Sequence, residues 1–242
     1  MKYLAILTLF VFACTPQKPL DADGIIAEAI ETHGLGQITN KKIEFDFRDK
    51  HYSVLRESDK YTYTRSFQDS LGYVEDILVN SSDFTRLIDG TELEVDSVWT
   101  GKYSNSVNSV LYFIQLPLTL TDPAALKDYK GISKINGKEY HLIEIRFTEE
   151  DGGKDFEDVF LYWFDATTFS MDYLAYSYIT DDGGVRFREA FNKRKVGGVV
   201  FQDYINYKPE DKLTPIEEMS VLFEKGELVE LSRIENVNVS VK

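Results

Sequence analysis

Apolar and polar residues alternate through much of this chain. Ile43, Phe45 and Phe47 alternate with Glu44, Asp46 and Arg48, the period of a strand with one buried and one wet face. His51 to Leu55 reads as the return strand. Tyr61, Tyr63, Arg65 and Phe67 line one side of a third strand, and Gly72 to Asn80 and Phe84 to Ile88 continue the pattern. Asp89-Gly90 is a hairpin pair, with Thr91 to Trp99 as its partner strand. The densest stretch, Glu157 to Tyr207, reads as four strands: Val159 to Phe164, Met171 to Ile179, Val185 to Phe191 and Val199 to Tyr207. Turn residues separate them, among them Asp181-Asp182-Gly183-Gly184 and Gly197-Gly198, so an antiparallel meander is expected. Within it Val185 and Phe187 are expected to face one way and Arg186 and Arg188 the other, with Val199 and Phe201 opposing Gln202 and Tyr204. Asn136-Gly137 marks a further hairpin, joining Ile132 to Ile135 with Lys138 to Phe147. Met219 to Glu224 and Glu227 to Ser232 read as a hairpin around Lys225-Gly226, and Val237, Val239 and Val241 as an edge strand.

The period changes to three and four in two places. Ile25, Ile26, Ala29 and Ile30 stripe a helix from Gly24 to about His33, with Asp23 as N-cap and Gly34 closing it. Val107, Val110, Leu111 and Ile114 do the same for Ser104 to Gln115, which Pro117 ends, and Asp122-Pro123 starts a short helical turn. Consecutive strands without intervening helices argue for antiparallel pairing. The expected fold is α+β: a single curved antiparallel sheet of roughly eight strands or more, unclosed, covered on one face by short helices.

Composition narrows the setting. A chain of 242 residues fits one domain and buries a sizeable core, and its net charge of −14 disfavours nucleic acid and anionic membrane surfaces as partners. The start is the most specific segment. Lys2, the apolar run Leu4 to Ala13 and then Cys14 have the length of a secretion signal, too short to span a bilayer. Val11-Phe12-Ala13-Cys14 resembles a bacterial lipoprotein processing site, with Phe12 bulkier than the usual small residue; a plain secretion signal is the alternative. Cys14 is the only cysteine, so no disulfide forms within the chain, and lipidation gives that residue a purpose. The expected division is a signal peptide over 1–13, a lipidated Cys14 with a tether over 14–20, and one domain over 21–242.

Catalytic patterns are missing. His33, His51 and His141 lie in three separate elements with no zinc-type spacing, and there is no GxSxG elbow, P-loop or GxGxxG. The acidic stretch Glu149 to Asp158 lacks the ligand order of a calcium loop, so no metal or cofactor is expected. Carboxylates are too numerous, at 41, for any pair to be singled out as a glycosidase site. Large aromatics are abundant instead. Most such residues serve as core, but a curved sheet under helices also leaves room for an apolar cavity. Its candidate lining is Trp99, Phe113, Tyr162, Phe164, Leu174, Tyr176, Phe187 and Phe201.

A lipoprotein signal, a helix, a run of strands, a helical interruption and a long meander together resemble the LolA/LolB-like lipoprotein carrier and receptor superfamily. Lys138 to Phe147, then Phe160-Leu161-Tyr162-Trp163-Phe164-Asp165 through Gly183-Gly184 to Phe191-Asn192, carry most of the likeness. The chain is also similar to an uncharacterised family of Bacteroidota envelope lipoproteins in Ala29-Ile30-Glu31-Thr32-His33-Gly34, Gln115-Leu116-Pro117-Leu118 and Phe187-Arg188-Glu189. The resemblance implies a half-barrel that holds acyl chains in an apolar cavity, and no catalytic residues to carry over. It also implies anchoring on the periplasmic side of a membrane, with the outer membrane favoured. Three functions follow in order: a lipid-binding anchored protein, an interaction lipoprotein with a filled core, and an envelope glycan or lipid hydrolase.

Overall fold

A computed structural model describes residues 20–148, 157–179 and 182–242. The expected signal, Cys14 and most of the tether, most of the acidic stretch from Glu149, and part of the turn at Asp181 lie outside the described residues.

The strands are antiparallel throughout and form an unclosed half-barrel in two seven-stranded parts. The first contains β1 (Lys41–Phe47), β2 (Lys50–Arg56), β3 (Tyr61–Asp69), β4 (Gly72–Val79), β5 (Asp83–Ile88) and β6 (Thr91–Leu93) in sequence order. The second runs from β7 (Ala125–Ile135) and β8 (Lys138–Phe147) through β9 (Val159–Asp165) and β10 (Met171–Tyr178) to β11 (Gly184–Val196), β12 (Val199–Lys208) and β13 (Val229–Ile234). The last strand, β14 (Val237–Val241), crosses back to pair with β1 as an edge strand. The crossover is pinned by Asp203, which accepts from the Asn236 backbone N–H at 3.0 Å and pairs with Arg194.

Two helices fill the concave side. Helix α1 (Ala22–His33) buries Ile25, Ile26, Ala29 and Ile30, and α2 (Ser97–Ile114) buries Val107 and Leu111, all in one core with the inner faces of both sheets. The cap of α1 is Asp21, whose carboxylate accepts from Gly24 N–H at 2.9 Å, rather than Asp23. Helix α2 starts earlier than its apolar spacing predicts, because Asp96 accepts from the N–H groups of Val98 and Trp99 and caps it there. The expected strand after Asp89-Gly90 therefore stops at Leu93, and Trp99 is helical. The turn at Asp122-Pro123 is preceded, not followed, by a short 3₁₀ segment, Leu118–Thr121.

A second, smaller core lies on the outer face of the second sheet. There α3 (Met219–Glu224), expected as a strand, docks Met219 and Phe223 on Trp163, Phe187 and Tyr173. Its Met219, Val221 and Phe223 alternate like a strand, but burial of Met219 and Phe223 against a flat aromatic surface favours the helix.

Gly34 ends α1 in the left-handed region, at φ 69°, and a Cβ there would lie 2.3 Å from the Gly198 carbonyl oxygen. The helix end and the β11–β12 turn thus touch backbone to backbone. We expect Gly34→Ala to destabilise the protein by at least about 2 kcal/mol, through left-handed strain plus displacement of that turn. Gly36→Ala is the control, since its Cβ would meet only the flexible end of Glu31. Urea unfolding of both checks this: equal losses would contradict the account.

Candidate functional site

The inner face of the second sheet is built from every other residue of its strands. On β9 these are Phe160, Tyr162 and Phe164, on β10 Leu174 and Tyr176, and on β8 Ile143 and Ile145. Phe201 of β12 and the C-terminal turn of α2, with Tyr112 and Phe113, complete the wall. The rings form a connected path. Tyr112 contacts Phe147 with centroids 6.5 Å apart, Phe147 meets Phe160 edge-on at 5.8 Å, and Phe160 stacks on Tyr176 at 5.8 Å. Phe113 closes the path onto Tyr176 at 5.9 Å. Burial is graded along it: Phe113, Phe147, Tyr176 and Tyr178 are half-buried at the rim, whereas Tyr162, Phe164 and Leu174 are fully buried behind them.

Polar groups enter this apolar wall at a few points. The Arg188 guanidinium lies 4.2 Å from the Phe113 ring centroid and 5.1 Å from that of Tyr176, and its Nη2 donates to the Tyr176 hydroxyl at 3.0 Å. Its Nε is buried without a hydrogen-bond partner. Two residues earlier on the same face, Arg186 lies over Tyr178 at 5.1 Å. Deeper in, the hydroxyls of Tyr112 and Tyr162 face each other without a well-formed hydrogen bond. Burial pushes both phenols well up from their ordinary range, and pushes Tyr204 up to about 12. All three stay neutral in ordinary conditions, so Arg186 and Arg188 bring the positive charge to this wall.

Six of the eight residues expected to line a cavity come together here: Phe113, Tyr162, Phe164, Leu174, Tyr176 and Phe201. Phe187 does not. It packs on the outer face against Trp163 at 5.7 Å and Phe223 at 4.9 Å, and Arg188 takes the inner position. Phe201 pairs beyond the register shift between Phe191 and Arg194 and packs in the inner core. Trp99 is also elsewhere: it is half-exposed on the first turn of α2, stacked on Tyr103. There it borders a cleft of about 180 Å³ with Leu71, Val74, Arg86 and Leu93. A second cleft, of about 360 Å³, lies between Tyr178 and Leu213. Neither reaches Tyr162, Phe164 or Leu174, whose surroundings are filled by side chains. Among the described residues no group of His, Cys, Asp or Glu is arranged to hold a metal ion, and no helix is long and apolar enough to cross a membrane.

Sequence reasoning misplaced Arg188 because it assumed a wet face for the meander. The signal against that assumption is Val159 to Phe164, where apolar residues occupy consecutive positions, the mark of a strand buried on both sides.

A model of a family described as a family of unknown function (DUF6503) matches residues 1–236. No curated protein matches the chain. Among solved structures it is similar to a LolA superfamily protein from Nitrosomonas europaea, at 11% identity over 91% of this chain and 93% of that one, with a TM-score of 0.52. Two others superpose less well, both with a TM-score of 0.42. One is a DUF1329 family protein from Desulfovibrio piger, at 9% identity over 91% of this chain and 92% of that one. The other is a putative outer membrane lipoprotein-sorting protein domain from Vibrio parahaemolyticus, at 7% identity over 92% and 94%.

Proposed function

This chain belongs to the DUF6503 family of unknown function, and we propose that it is a non-catalytic envelope lipoprotein that binds a lipid or other apolar ligand within its LolA-like half-barrel. Cys14 carries the lipid anchor in this reading, on the periplasmic side of a membrane and by preference the outer one. The observation that carries the reading is the aromatic wall, graded from half-buried rim to buried depth. In this reading a ligand enters past Phe113, which is half-buried at the rim. The polar atoms left without partners inside, on Tyr112, Tyr162, Arg188 and Gln202, are groups that a ligand or the water with it would satisfy.

The packed depth of the half-barrel favours a second reading, an interaction protein whose core is its own side chains. One experiment separates the two. The chain is purified without detergent, examined by native mass spectrometry, and heated with and without a long-chain amphiphile. Binding at a hundredfold excess over Kd contributes about 2.7 kcal/mol, which raises the Tm by roughly 5–10 °C for a chain of this size. A co-purifying mass and a rise of that order are expected. No bound mass and no shift across lipid classes would leave the interaction reading. The mass of the chain extracted from membranes also reads the anchor, as loss of residues 1–13 and addition of acyl chains at Cys14.

A further inference from the structure

We propose that Arg188, with Arg186 beside it, receives the anionic head of the ligand, so that the half-barrel takes an acyl chain ending in a carboxylate or phosphate in preference to an uncharged lipid; this rests on the binding reading above.

Arg188 stands apart from the other buried arginines. The chain has 41 acidic residues against 27 basic ones, so a carboxylate is the easiest partner for a guanidinium to find. Arg65 and Arg86 both pair with Asp76, and the partly buried Arg194 pairs with Asp203. Arg188 is 9% exposed, yet among the described residues no carboxylate pairs with it. Its neighbour in sequence, Glu189, points to the other face, where it accepts from the Tyr207 hydroxyl at 3.1 Å. Among the described residues Arg186 is also without a carboxylate, its Nη1 donating to the Val185 carbonyl at 2.9 Å. A guanidinium has five N–H donors in a fork that matches a carboxylate or phosphate edge, and the ring faces of Phe113 and Tyr176 leave that edge free. Of those donors Arg188 gives one to Tyr176, while its Nε is buried and unused.

The position suits a head group. Arg186 and Arg188 sit where the rim rings Phe113, Tyr176 and Tyr178 meet, and the apolar residues Leu174 and Phe164 lie further in on the same face. An amphiphile held by its anionic oxygens at Arg188 would lay its chain along that wall. An anion with no chain would leave the wall unused.

The test is isothermal titration of the purified chain, at pH 8 and below the critical micelle concentration, with dodecanoate, dodecyl phosphate, dodecanol and inorganic phosphate. At least one anionic amphiphile is expected to bind ten times or more tighter than dodecanol. Arg188→Gln is expected to remove that difference, and Arg186→Gln, at the more exposed rim position, to reduce it partly. Carboxylate and phosphate heads are told apart by which amphiphile binds tighter. Equal binding of dodecanol and the anionic amphiphiles, or a preference that survives both substitutions, would overturn the inference and keep the lipid-binding reading. Inorganic phosphate binding as tightly as dodecyl phosphate would also overturn it, in favour of a free-anion site. Binding of none of the four would remove the lipid-binding reading, and this inference with it.

Discussion

Replacing Asp76 with alanine is expected to destabilise the protein by about 3–5 kcal/mol, the range seen when one partner of a buried ion pair is removed. At a chain of this size that loss lowers the Tm by roughly 6–20 °C. Asp76 is fully buried on the inner face of the first sheet, between β3 and β5. It accepts from Arg65 Nε at 2.9 Å, and from Arg86 Nε at 2.6 Å and Nη2 at 2.9 Å. The two arginines continue into α2: Arg65 Nη1 donates to the Ser106 hydroxyl at 2.6 Å, and the Arg86 guanidinium lies 3.4 Å from the Tyr103 ring centroid. One carboxylate therefore bridges two buried guanidiniums, offsets one of their two charges and fastens the covering helix to the sheet. Alanine at 76 leaves both guanidiniums uncompensated, and water or a rearranged α2 must take them up. Urea unfolding of Asp76→Ala beside a variant with all three residues replaced by apolar ones tests this. The apolar triple variant is expected to lose far less, because it buries no orphaned charge. A loss below about 1 kcal/mol for Asp76→Ala, within the range of an exposed pair, would show that the cluster is solvated and does not fasten α2.

How much of this molecule was legible beforehand depended on the kind of signal. Turn chemistry and alternation are local, and they placed Lys138 to Phe147 after Asn136-Gly137 as observed, whereas its partner, expected over Ile132 to Ile135, begins at Ala125. The C-terminus of α1 at Gly34 was legible for the same reason. Elements decided by tertiary packing were not. Met219 to Glu224 alternates like a strand and becomes a helix, since its environment is the outer aromatic face that Trp163, Tyr173, Phe187 and Tyr207 form on four strands. Asp96 outweighs the spacing of Val107 and Leu111 in fixing where α2 begins, and so moves Trp99 from the expected wall to the surface.

The candidate site was legible as composition and blurred in detail. Apolar residues on alternate positions of β9 and β10 put Tyr162, Phe164, Leu174 and Tyr176 in one core, because alternation is a property of the strand itself. Which face is inner on β11 is a property of the whole sheet. With α3 covering the outside, an apolar residue such as Phe187 is at home there, and an arginine is left to face in. Ion pairing was invisible from sequence for a similar reason. Arg65, Asp76 and Arg86 meet only because three strands align them in one row, while the row of Arg188 holds Leu174 and Asn206 and offers it no acid.

Acid is expected to weaken the fold through His33, in the last turn of α1, whose ring is held neutral. It is buried at the end of α1, and its Nε2 accepts from the Met171 backbone N–H at 3.2 Å. Burial, with the charge of Lys193 adding to it, lowers its pKa from 6.5 to about 4, against the opposing effects of the Val200 backbone and Asp172. In the unfolded chain the same ring takes up a proton near pH 6.5. Above that pH both states are neutral and His33 gives no pH dependence. As pH falls from 6.5 towards 4 the unfolded state binds the proton and the folded state does not, so stability falls, by about 2 kcal/mol at pH 5 and about 3 kcal/mol at pH 4. Nearby carboxylates do not produce this slope. Despite burial that would raise them, the ammonium groups of Lys138 and Lys193 hold Asp172 below its ordinary value, and Lys138 and the N–H groups of Thr167 and Thr168 hold Asp165 at about 2. Both therefore remain ionised across the window. Unfolding free energies of the wild type and of His33→Gln, measured from pH 7.5 to 4, should diverge in slope, with the variant flatter by the amounts above. An NMR titration of the His33 ring should have its midpoint near 4. Parallel stability curves, or a ring that titrates near 6.5 in the folded protein, would mean that water reaches His33 and that the α1 end is not sealed against the second sheet.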